Sequence, residues 1–333
     1  MCSIAGIISP DPDQTVPAIL ERMNELLSHR GPDDHGYYTH QQQGVHIGLA
    51  HNRLAILDLT TAAAQPLKYL NRYVLIFNGE IYNYREIRDT LRSKGYSFQS
   101  SGDTEVVAAA FDAYGIDCTA HFDGMFSFSI WDEKECRLFS ARDRFGEKPF
   151  YYQYDVKQNT FRFASEMKAL FAAGIEKTAD PVMLFNYLTL GFTKQPDQPG
   201  KTFFRGIEQL PPSHYLLFEP LKNQLMISRY WDLDKESITD KTETEALEGF
   251  ANLLRTSVNR RLRSDVPLGT SLSGGLDSSS IVALIAETEG EQYTHKAFSA
   301  VFPGFEKDES DRIRVMADSF RLQLHTVTPE AND

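Results

Sequence analysis

The sequence contains no apolar run close to the roughly 20 residues that a membrane-spanning helix needs. It also lacks a secretory signal, because the prolines and aspartates at positions 10–13 interrupt the N-terminal region too early for an apolar core to form. The sequence therefore predicts no membrane partner and a cytoplasmic location.

Cysteine is scarce. The chain has three, Cys2, Cys118 and Cys136, and they form neither a CxxC pair nor the Cys/His spacing of a metal site. A sparse, odd set fits a reducing compartment better than a disulfide scaffold. We assign no role to Cys118 and Cys136.

Positive charge is also in short supply. Lys and Arg number 34 against 46 Asp and Glu, which gives a net charge of -12. Binding to phosphate backbones needs clustered Lys and Arg, so no nucleic-acid partner is expected. The 333 residues suit two domains of roughly 150 residues each.

The first half of the chain reads as runs of strands with separate helices, which predicts an α+β sandwich of two packed antiparallel sheets with outer helices. A fully buried strand is expected at its start. The predicted strands cover 3–9, 45–50 and 73–77 and four runs within 126–164; the predicted helices cover 17–27, 84–94, 103–115, 167–173 and 182–190.

Strands and helices alternate after residue 242, which predicts the start of an α/β doubly wound parallel-sheet domain. The predicted elements are helix 245–263, strand 268–273, helix 276–288, strand 295–302, helix 309–320 and strand 324–328. The domain prediction is therefore 2–205 for the first domain, a proline-containing connector over 206–241, and 242–333 for an incomplete second domain.

Cys2 follows Met1 directly, so removal of Met1 would leave a residue that carries a thiol and a free α-amine. An α-amine has a pKa of about 7.7–8.0 and can accept a proton near neutral pH, while a thiol with a pKa of about 8.5 needs such a base. Taken alone, a cysteine at position 2 is more often accidental than catalytic.

A glycine- and serine-rich string, Ser273–Ser279 (SGGLDSS), lies between a predicted strand and a predicted helix. Glycines allow a phosphate to approach the backbone, and the helix N-terminus supplies N–H donors. There is no Gly-Lys-Ser/Thr, so it is not a Walker loop. The alternative is a tight turn before a capped helix.

Several motifs carry a family resemblance. SGGLDSS resembles the pyrophosphate-binding loop of ATP pyrophosphatases. Cys2 with SIAGI resembles the start of an N-terminal-nucleophile glutamine amidotransferase domain, and four further motifs extend that resemblance. The two domains that these motifs indicate, in this order along the chain, resemble the arrangement of glutamine-hydrolysing asparagine synthetases. The four motifs are HRGPD (29–33), NGE (78–80), SGDTE (101–105) and RDRFG (142–146).

The resemblance implies a glutaminase in the first domain, in which the Cys2 thiolate attacks the glutamine carboxamide and its own α-amine moves the proton. Asn78 and Gly79 would form the oxyanion pair, and Arg53 would bind the substrate carboxylate. Glu80 and Asp103 would receive the α-ammonium. The alternatives are a surface ion pair for Arg53, an Asn-Gly turn, and a simple helix N-cap at Asp103.

For the second domain the resemblance implies ATP binding, adenylation of aspartate, and displacement of AMP by ammonia passed from the glutaminase. Mg²⁺ would screen the phosphates, with Asp277 as a candidate ligand, and a homodimer is expected. Asp308 and Glu309 could contact metal or substrate, or simply form an acidic helical turn. The implied ATP-binding residues are Leu272, Ser273, Gly274, Gly275, Leu276, Asp277, Ser278, Ser279 and Ala300.

Only residues 280–333 follow the SGGLDSS string, whereas the resembled family continues further. We therefore expect a fragment or a shortened homologue whose synthetase half is not competent and leaves an unfinished sheet edge. Three alternatives stay open: another carboxylate acceptor, a glutaminase-only fragment, and a non-catalytic scaffold. An amidophosphoribosyltransferase would lack SGGLDSS, and a β-lactam-synthetase-like relative would lack Cys2.

Overall fold

The first strand of the chain, Ser3–Ser9, is buried along its whole length because it lies inside a six-stranded sheet. The computed structural model describes residues 1–14, 17–290 and 295–330. The contacts divide the chain into two units, Met1–Lys235 and Glu236–Asp333. Within the described residues, no helix is both long and apolar enough to cross a bilayer.

Among its described residues, the first unit holds helices at the five predicted places and twelve strands where the sequence predicts seven. Its strands are β1 (Ser3–Ser9), β2 (Asp34–Gln42), β3 (Val45–Arg53), β4 (Leu67–Tyr69), β5 (Tyr73–Ile81), β6 (Gly124–Asp132), β7 (Arg137–Arg142), β8 (Tyr151–Asp155), β9 (Thr160–Ala164), β10 (Glu208–Gln209), β11 (His214–Glu219) and β12 (Gln224–Arg229). Its helices are α1 (Pro17–Glu25), α2 (Tyr84–Ser93), α3 (Thr104–Tyr114), α4 (Met167–Ala172) and α5 (Pro181–Leu190).

The strands form two six-stranded antiparallel sheets. The first has the order β10-β8-β9-β1-β3-β2, and the second has the order β12-β11-β7-β6-β5-β4. Apolar side chains of both sheets interdigitate in one core, for example Ile4 and Leu49 of the first sheet with Ile76 and Trp131 of the second. Because β1 and β5 are interior strands of the two sheets, the start of β1 and the end of β5 can lie close together.

Helices cover the outer face of each sheet. Leu20 and Met23 of α1 and Leu170 of α4 pack on the first sheet, while Leu91 of α2 and Val106 of α3 belong to the cluster on the second. The predicted sandwich of two antiparallel sheets with outer helices is therefore confirmed, since each sheet is apolar on both faces and needs a cover on each.

The structure differs from the sequence-based interpretation in several segments: β2 and β4 were not predicted as strands, and two further segments have a different structure. The strand predicted over 73–77 continues to Ile81, so Asn78 and Gly79 lie within β5, paired with β6, rather than in a turn. Residues 208–229 fall inside the predicted connector 206–241, yet they form β10, β11 and β12 and extend both sheets. Short strands flanked by prolines carry too little apolar periodicity to be recognised without their partners.

The second unit has a three-stranded parallel sheet in the order β13-β14-β15, with helices between the strands. This confirms the predicted parallel α/β arrangement. Leu272, Val282, Ala297 and Ile313 form its core. The elements are α6 (Glu243–Arg261), β13 (Gly269–Ser271), α7 (Leu276–Glu289), β14 (Lys296–Ala300), α8 (Ser310–Ser319) and β15 (Gln323–Val327).

Candidate active site

A cavity of about 90 Å³ in the first unit brings together every residue that the sequence nominates for the glutaminase chemistry. Residues far apart in the chain converge there because the strands that carry them are neighbours in the two packed sheets. The cavity is lined by Met1, Cys2, Arg53, Leu54, Ile56, Leu57, Gln65, Phe77, Asn78, Gly79, Glu80, Asp103, Thr104, Met125 and Lys148.

The thiol of Cys2 stands at the start of the buried strand β1. Its Sγ accepts a hydrogen bond from the backbone N–H of Leu54 at 3.3 Å, and Sγ also lies 3.5 Å from the Leu54 carbonyl oxygen. Burial raises the pKa of the Cys2 thiol, while the Leu54 N–H, the N-terminal amine and Lys148 act in the opposite direction. The thiol is therefore held in place but needs a base to ionise near neutral pH.

The base that the sequence nominates is the α-amine that Cys2 would carry after removal of Met1; with Met1 in place, the chain's free amine is that of Met1. Burial lowers the pKa of the amine of Met1, and the cations of Arg30 and Lys148 lower it further. Arg30 also donates from Nε to the carbonyl oxygen of Cys2 at 3.1 Å, which fixes the peptide group between Cys2 and Ser3. A lowered pKa keeps more of the Met1 amine neutral and able to accept a proton. Removal of Met1 would place the free α-amine on Cys2, beside the thiol.

Asn78 is fully buried, and both polar atoms of its side-chain amide lack a hydrogen-bond partner within the described part of the chain. An unpaired buried amide costs free energy, so its presence at a cavity wall indicates that a ligand supplies the partner. Gly79 follows it, and a Cβ there would lie 2.2 Å from the Met125 carbonyl oxygen. The strand pairing with β6 therefore requires glycine at position 79.

Arg53 lies at the end of β3 with its guanidinium fixed by backbone carbonyls. Nη1 donates to Thr60 O at 3.0 Å, and Nη2 donates to the carbonyls of Leu57 and Asp58. The 57–60 segment is held in turn by the Asp58 carboxylate. Burial acts to raise the pKa of Asp58, but hydrogen bonds from Thr60 and Ser101 outweigh it and lower that pKa to about 2. Arg53 is thus a positioned cation rather than a surface ion pair.

Asp103 occupies the N-cap position of α3 but does not cap it. Its Oδ2 accepts a hydrogen bond from the backbone N–H of Ile81 at 2.9 Å, and α3 begins without a side-chain cap. Burial, and next the charge of Glu80, raise the pKa of Asp103 to about 7. Two carboxyl groups close together in a buried cavity suit a cationic ligand such as an α-ammonium.

The chain matches two families of known proteins. A family model described as "Glutamine amidotransferase domain" matches residues 1–231, more than half of the chain. The chain belongs to the glutamine amidotransferase family. A second model, described as "Asparagine synthase", matches residues 249–333.

Individual relatives and a solved structure extend this comparison. Asparagine synthetase (glutamine-hydrolyzing) 3 of Bacillus subtilis is 38% identical over 83% of this chain and 44% of its own length. Amidase chry2 of Gibberella zeae is 33% identical over 98% of this chain and 49% of its own length. The chain thus spans about half the length of these curated relatives.

A glutamine phosphoribosylpyrophosphate amidotransferase from B. subtilis, solved with ADP and GMP, superposes with a TM-score of 0.51 at 16% identity. The match covers 98% of this chain and 81% of that one. At this identity the likeness supports the fold alone.

Sequence reasoning missed two cavity neighbours of this amidotransferase domain. Arg30 pairs with Glu166 at 2.9 Å, and His29 contacts the same carboxylate oxygen at 2.9 Å. Lys148 is buried, and its Nζ lies 3.3 Å from the Met1 Sδ. The HRGPD motif could have suggested Arg30, whereas Lys148 follows the recognised RDRFG motif by two residues and nothing in the sequence alone marked it.

In the second unit, the SGGLDSS string follows β13 and continues into the first turn of α7, which begins at Leu276. The Ser273 and Ser278 hydroxyls are 3.0 Å apart, and the Gly275 N–H donates to Ser273 Oγ at 3.3 Å. Gly274 has φ +72°, and a Cβ there would lie 2.7 Å from the Cβ of Arg312. The Ser279 Oγ is buried without a hydrogen-bond partner among the described residues, and α7 begins without a side-chain cap. These features fit a phosphate.

The remaining nominated residues of this unit lie in different environments. Leu272 packs its side chain into the core, while Ala300 and Asp277 are exposed. Asp308 accepts hydrogen bonds from the Phe302 N–H and the Ser310 hydroxyl, both at 2.9 Å, as a carboxylate that organises its own loop does. The described residues contain no group of three His, Cys, Asp or Glu placed to hold a metal. Asp277 alone would leave most of a metal's ligands to phosphate and water.

Proposed function

We propose that the first unit hydrolyses glutamine at Cys2, and that the whole protein uses the ammonia for ATP-dependent synthesis of asparagine from aspartate. The support is the cavity that gathers Cys2, Asn78, Gly79, Arg53 and Asp103 together with the two matched family models. The relative from B. subtilis named asparagine synthetase points to the same acceptor.

The roles of the residues follow from their chemistry. After removal of Met1, the α-amine of Cys2 takes the thiol proton and Sγ bonds to the carboxamide carbon of glutamine. The amide N–H₂ of Asn78 and the backbone N–H of Gly79 donate to the resulting oxyanion. The amine returns the proton as ammonia leaves, and water then hydrolyses the thioester to release glutamate. Arg53 and Asp103, with Glu80, bind the substrate's carboxylate and ammonium.

The buried amide of Asn78, which has no hydrogen-bond partner among the described residues, is the observation that carries this proposal. The test is glutamate release from glutamine by the full chain, without ATP. We expect turnover by the wild type and by Cys118→Ala, a control that changes a buried thiol outside the cavity, and none by Cys2→Ala. If neither wild type nor Cys2→Ala releases glutamate, in chains from which Met1 is shown by mass to be removed, the glutaminase assignment is refuted.

For the second unit we propose that Ser273–Ser279 holds the phosphates of ATP, with Leu272 and Ala300 nearest the adenine. Two features support phosphate binding: the Ser279 hydroxyl has no partner in the part of the chain that the structure describes, and position 274 is glycine. Mg²⁺ beside Asp277, a homodimer and a cytoplasmic location remain predictions. Calorimetric titration of the full chain with ATP, with and without Mg²⁺, tests the site: we expect saturable binding that Gly274→Ala weakens.

A second candidate function is transfer of the amide nitrogen to a different carboxylate. This second function is supported by the relative named amidase chry2, which aligns along 98% of this chain. Assays of the whole protein with ATP, glutamine and a panel of carboxylic acids would separate the two functions. Asparagine formation supports the first, and amide formation on another acid without asparagine supports the second.

A further inference from the structure

The proposed chemistry gives no role to the RDRFG motif (142–146). In the structure it forms the loop after β7, and the Asp143 carboxylate organises that loop. Oδ1 accepts from the N–H of Phe145 at 3.1 Å and from that of Glu147 at 2.9 Å. Oδ2 accepts from the N–H of Lys148 at 2.9 Å, so the loop ends in a fixed position at that residue.

Arg142 fixes the same loop from its other side. The guanidinium Nε donates to the Lys148 carbonyl oxygen and Nη2 donates to the Gly146 carbonyl oxygen, both at 2.6 Å. Gly146 has φ +70°, and a Cβ there would lie 3.0 Å from the Arg142 guanidinium carbon. The motif is therefore a scaffold, and the side chain that it presents to the cavity is that of Lys148.

Lys148 is an unusual choice for a buried position, because an ammonium loses its hydration there. Its side chain is only 5% exposed, it lines the same cavity as Cys2, Asn78 and Asp103, and Nζ contacts the first residue of the chain. Removal of Met1 would take away that thioether contact and leave Nζ facing the cavity. A charge buried at this cost, on a rigid loop, indicates a function.

We propose that Lys148 is a positioning residue of the Cys2 site, whose buried ammonium favours the thiolate of Cys2 and the neutral form of the N-terminal amine. This role of Lys148 rests on the proposed function, because it serves catalysis only if Cys2 hydrolyses glutamine. Unlike Asn78 or Arg53, Lys148 acts through Cys2 rather than on glutamine.

Several other charged groups surround the Lys148 ammonium at the site. Arg30 adds a second cation beside the N-terminus, while Asp33, Glu80 and Asp103 bring negative charge, and Glu147 lies next to Lys148 in the loop. Burial lowers the Lys148 pKa, and Glu80 and Cys2 raise it. Glu80 therefore helps to keep the ammonium protonated, and the ammonium offsets the effect of Asp103 on the thiol.

The test measures the thiol directly. The full chain is treated with methionine aminopeptidase, its N-terminus is confirmed as Cys2 by mass, and the rate of Cys2 alkylation by iodoacetamide is followed against pH. In Lys148→Met we expect the apparent thiol pKa to rise by about one, which makes alkylation about tenfold slower at pH 7. Lys148→Arg, which keeps the charge, should stay close to wild type. Lys157→Met, at an exposed turn, should be unchanged.

Each outcome decides the proposal. An unchanged thiol pKa in a folded Lys148→Met overturns it, and so does failure of both Lys148 variants to fold, because Lys148 would then serve the fold alone. A raised thiol pKa in Lys148→Met, together with a wild type that releases no glutamate, would support the Lys148 proposal while refuting the glutaminase. Glutamate release by the wild type, with no change of the thiol pKa in Lys148→Met, would support the glutaminase and overturn the Lys148 proposal.

Discussion

The carboxylate of Asp103 accepts a 2.9 Å hydrogen bond from the backbone N–H of Ile81, at the end of the strand that carries Asn78 and Gly79. This bond ties the start of α3 to β5 across the cavity. It also turns the carboxylate away from the N-terminus of α3. The position of Asp103 in the sequence predicts that it would cap that helix. This hydrogen bond therefore fixes Asp103 relative to the strand that carries the proposed oxyanion pair, Asn78 and Gly79.

Asp103→Asn should stabilise the free protein at pH 8 while removing glutaminase activity. Burial, and next the charge of Glu80, raise the pKa of Asp103 from 3.8 to about 7. A carboxyl group with a higher pKa in the folded state binds more protons when folded between those values. The free energy of unfolding therefore falls as pH rises from about 4 to about 7 and stays lowered above.

Removing that ionisation should raise the free energy of unfolding at pH 8 by up to about 4 kcal/mol. Urea denaturation at pH 4 and pH 8 checks the sign, because the gain should vanish at pH 4. Asp89→Asn, on the exposed face of α2, is the control and should change stability by less than about 0.5 kcal/mol at either pH. A loss of stability at pH 8 would contradict the prediction.

The glutaminase should lose activity in acid as Asp103 is protonated. Because its pKa is about 7 in the free protein, kcat/KM for glutamine should fall below pH 7. Burial also raises the thiol pKa of Cys2, so the same profile should still be rising above pH 7. A profile of kcat/KM that is flat between pH 5 and pH 8 would contradict both assignments.

Asn78→Ala should reduce kcat by about 10²–10³ with little effect on stability. The amide has no internal partner among the described residues, so its removal breaks no hydrogen bond of the folded protein. Asn186→Ala on α5 is the matched control and should keep full activity. Steady-state kinetics and thermal unfolding on the same samples make the comparison. A large loss of stability would show instead that Asn78 has a structural role.

Two glycines of the second unit should respond in opposite ways to alanine. Gly274→Ala should destabilise that unit and weaken ATP binding, because φ is +72° and a Cβ would lie 2.7 Å from the Arg312 Cβ. Gly249→Ala should stabilise it by about 0.5–1 kcal/mol, since Gly249 lies within α6 with open space around it. Chemical denaturation gives both values, and equal effects would contradict the prediction.

Local sequence patterns predicted most of the elements because their apolar periodicity is strong. The helix over 84–94 corresponds to α2 (Tyr84–Ser93), and the parallel sheet after residue 242 follows from strict alternation of strands and helices. The strand β2 was missed because its outward-facing residues are polar or charged and its apolar content is low. β11 and β12 were missed because prolines beside them resemble a linker.

The sequence by itself determined which residue types are present and in what order: a cysteine after Met1, an Asn-Gly pair, and a glycine- and serine-rich string after a strand. Those types limit the chemistry, because few residues can be nucleophile, oxyanion donor or phosphate ligand. Only the tertiary structure decided that Asn78 and Gly79 lie in a paired strand, that Asp103 bonds Ile81 rather than capping α3, and that Lys148 enters the cavity. Those outcomes depend on which strands become neighbours when the two sheets pack, and contacts between distant residues leave no local pattern.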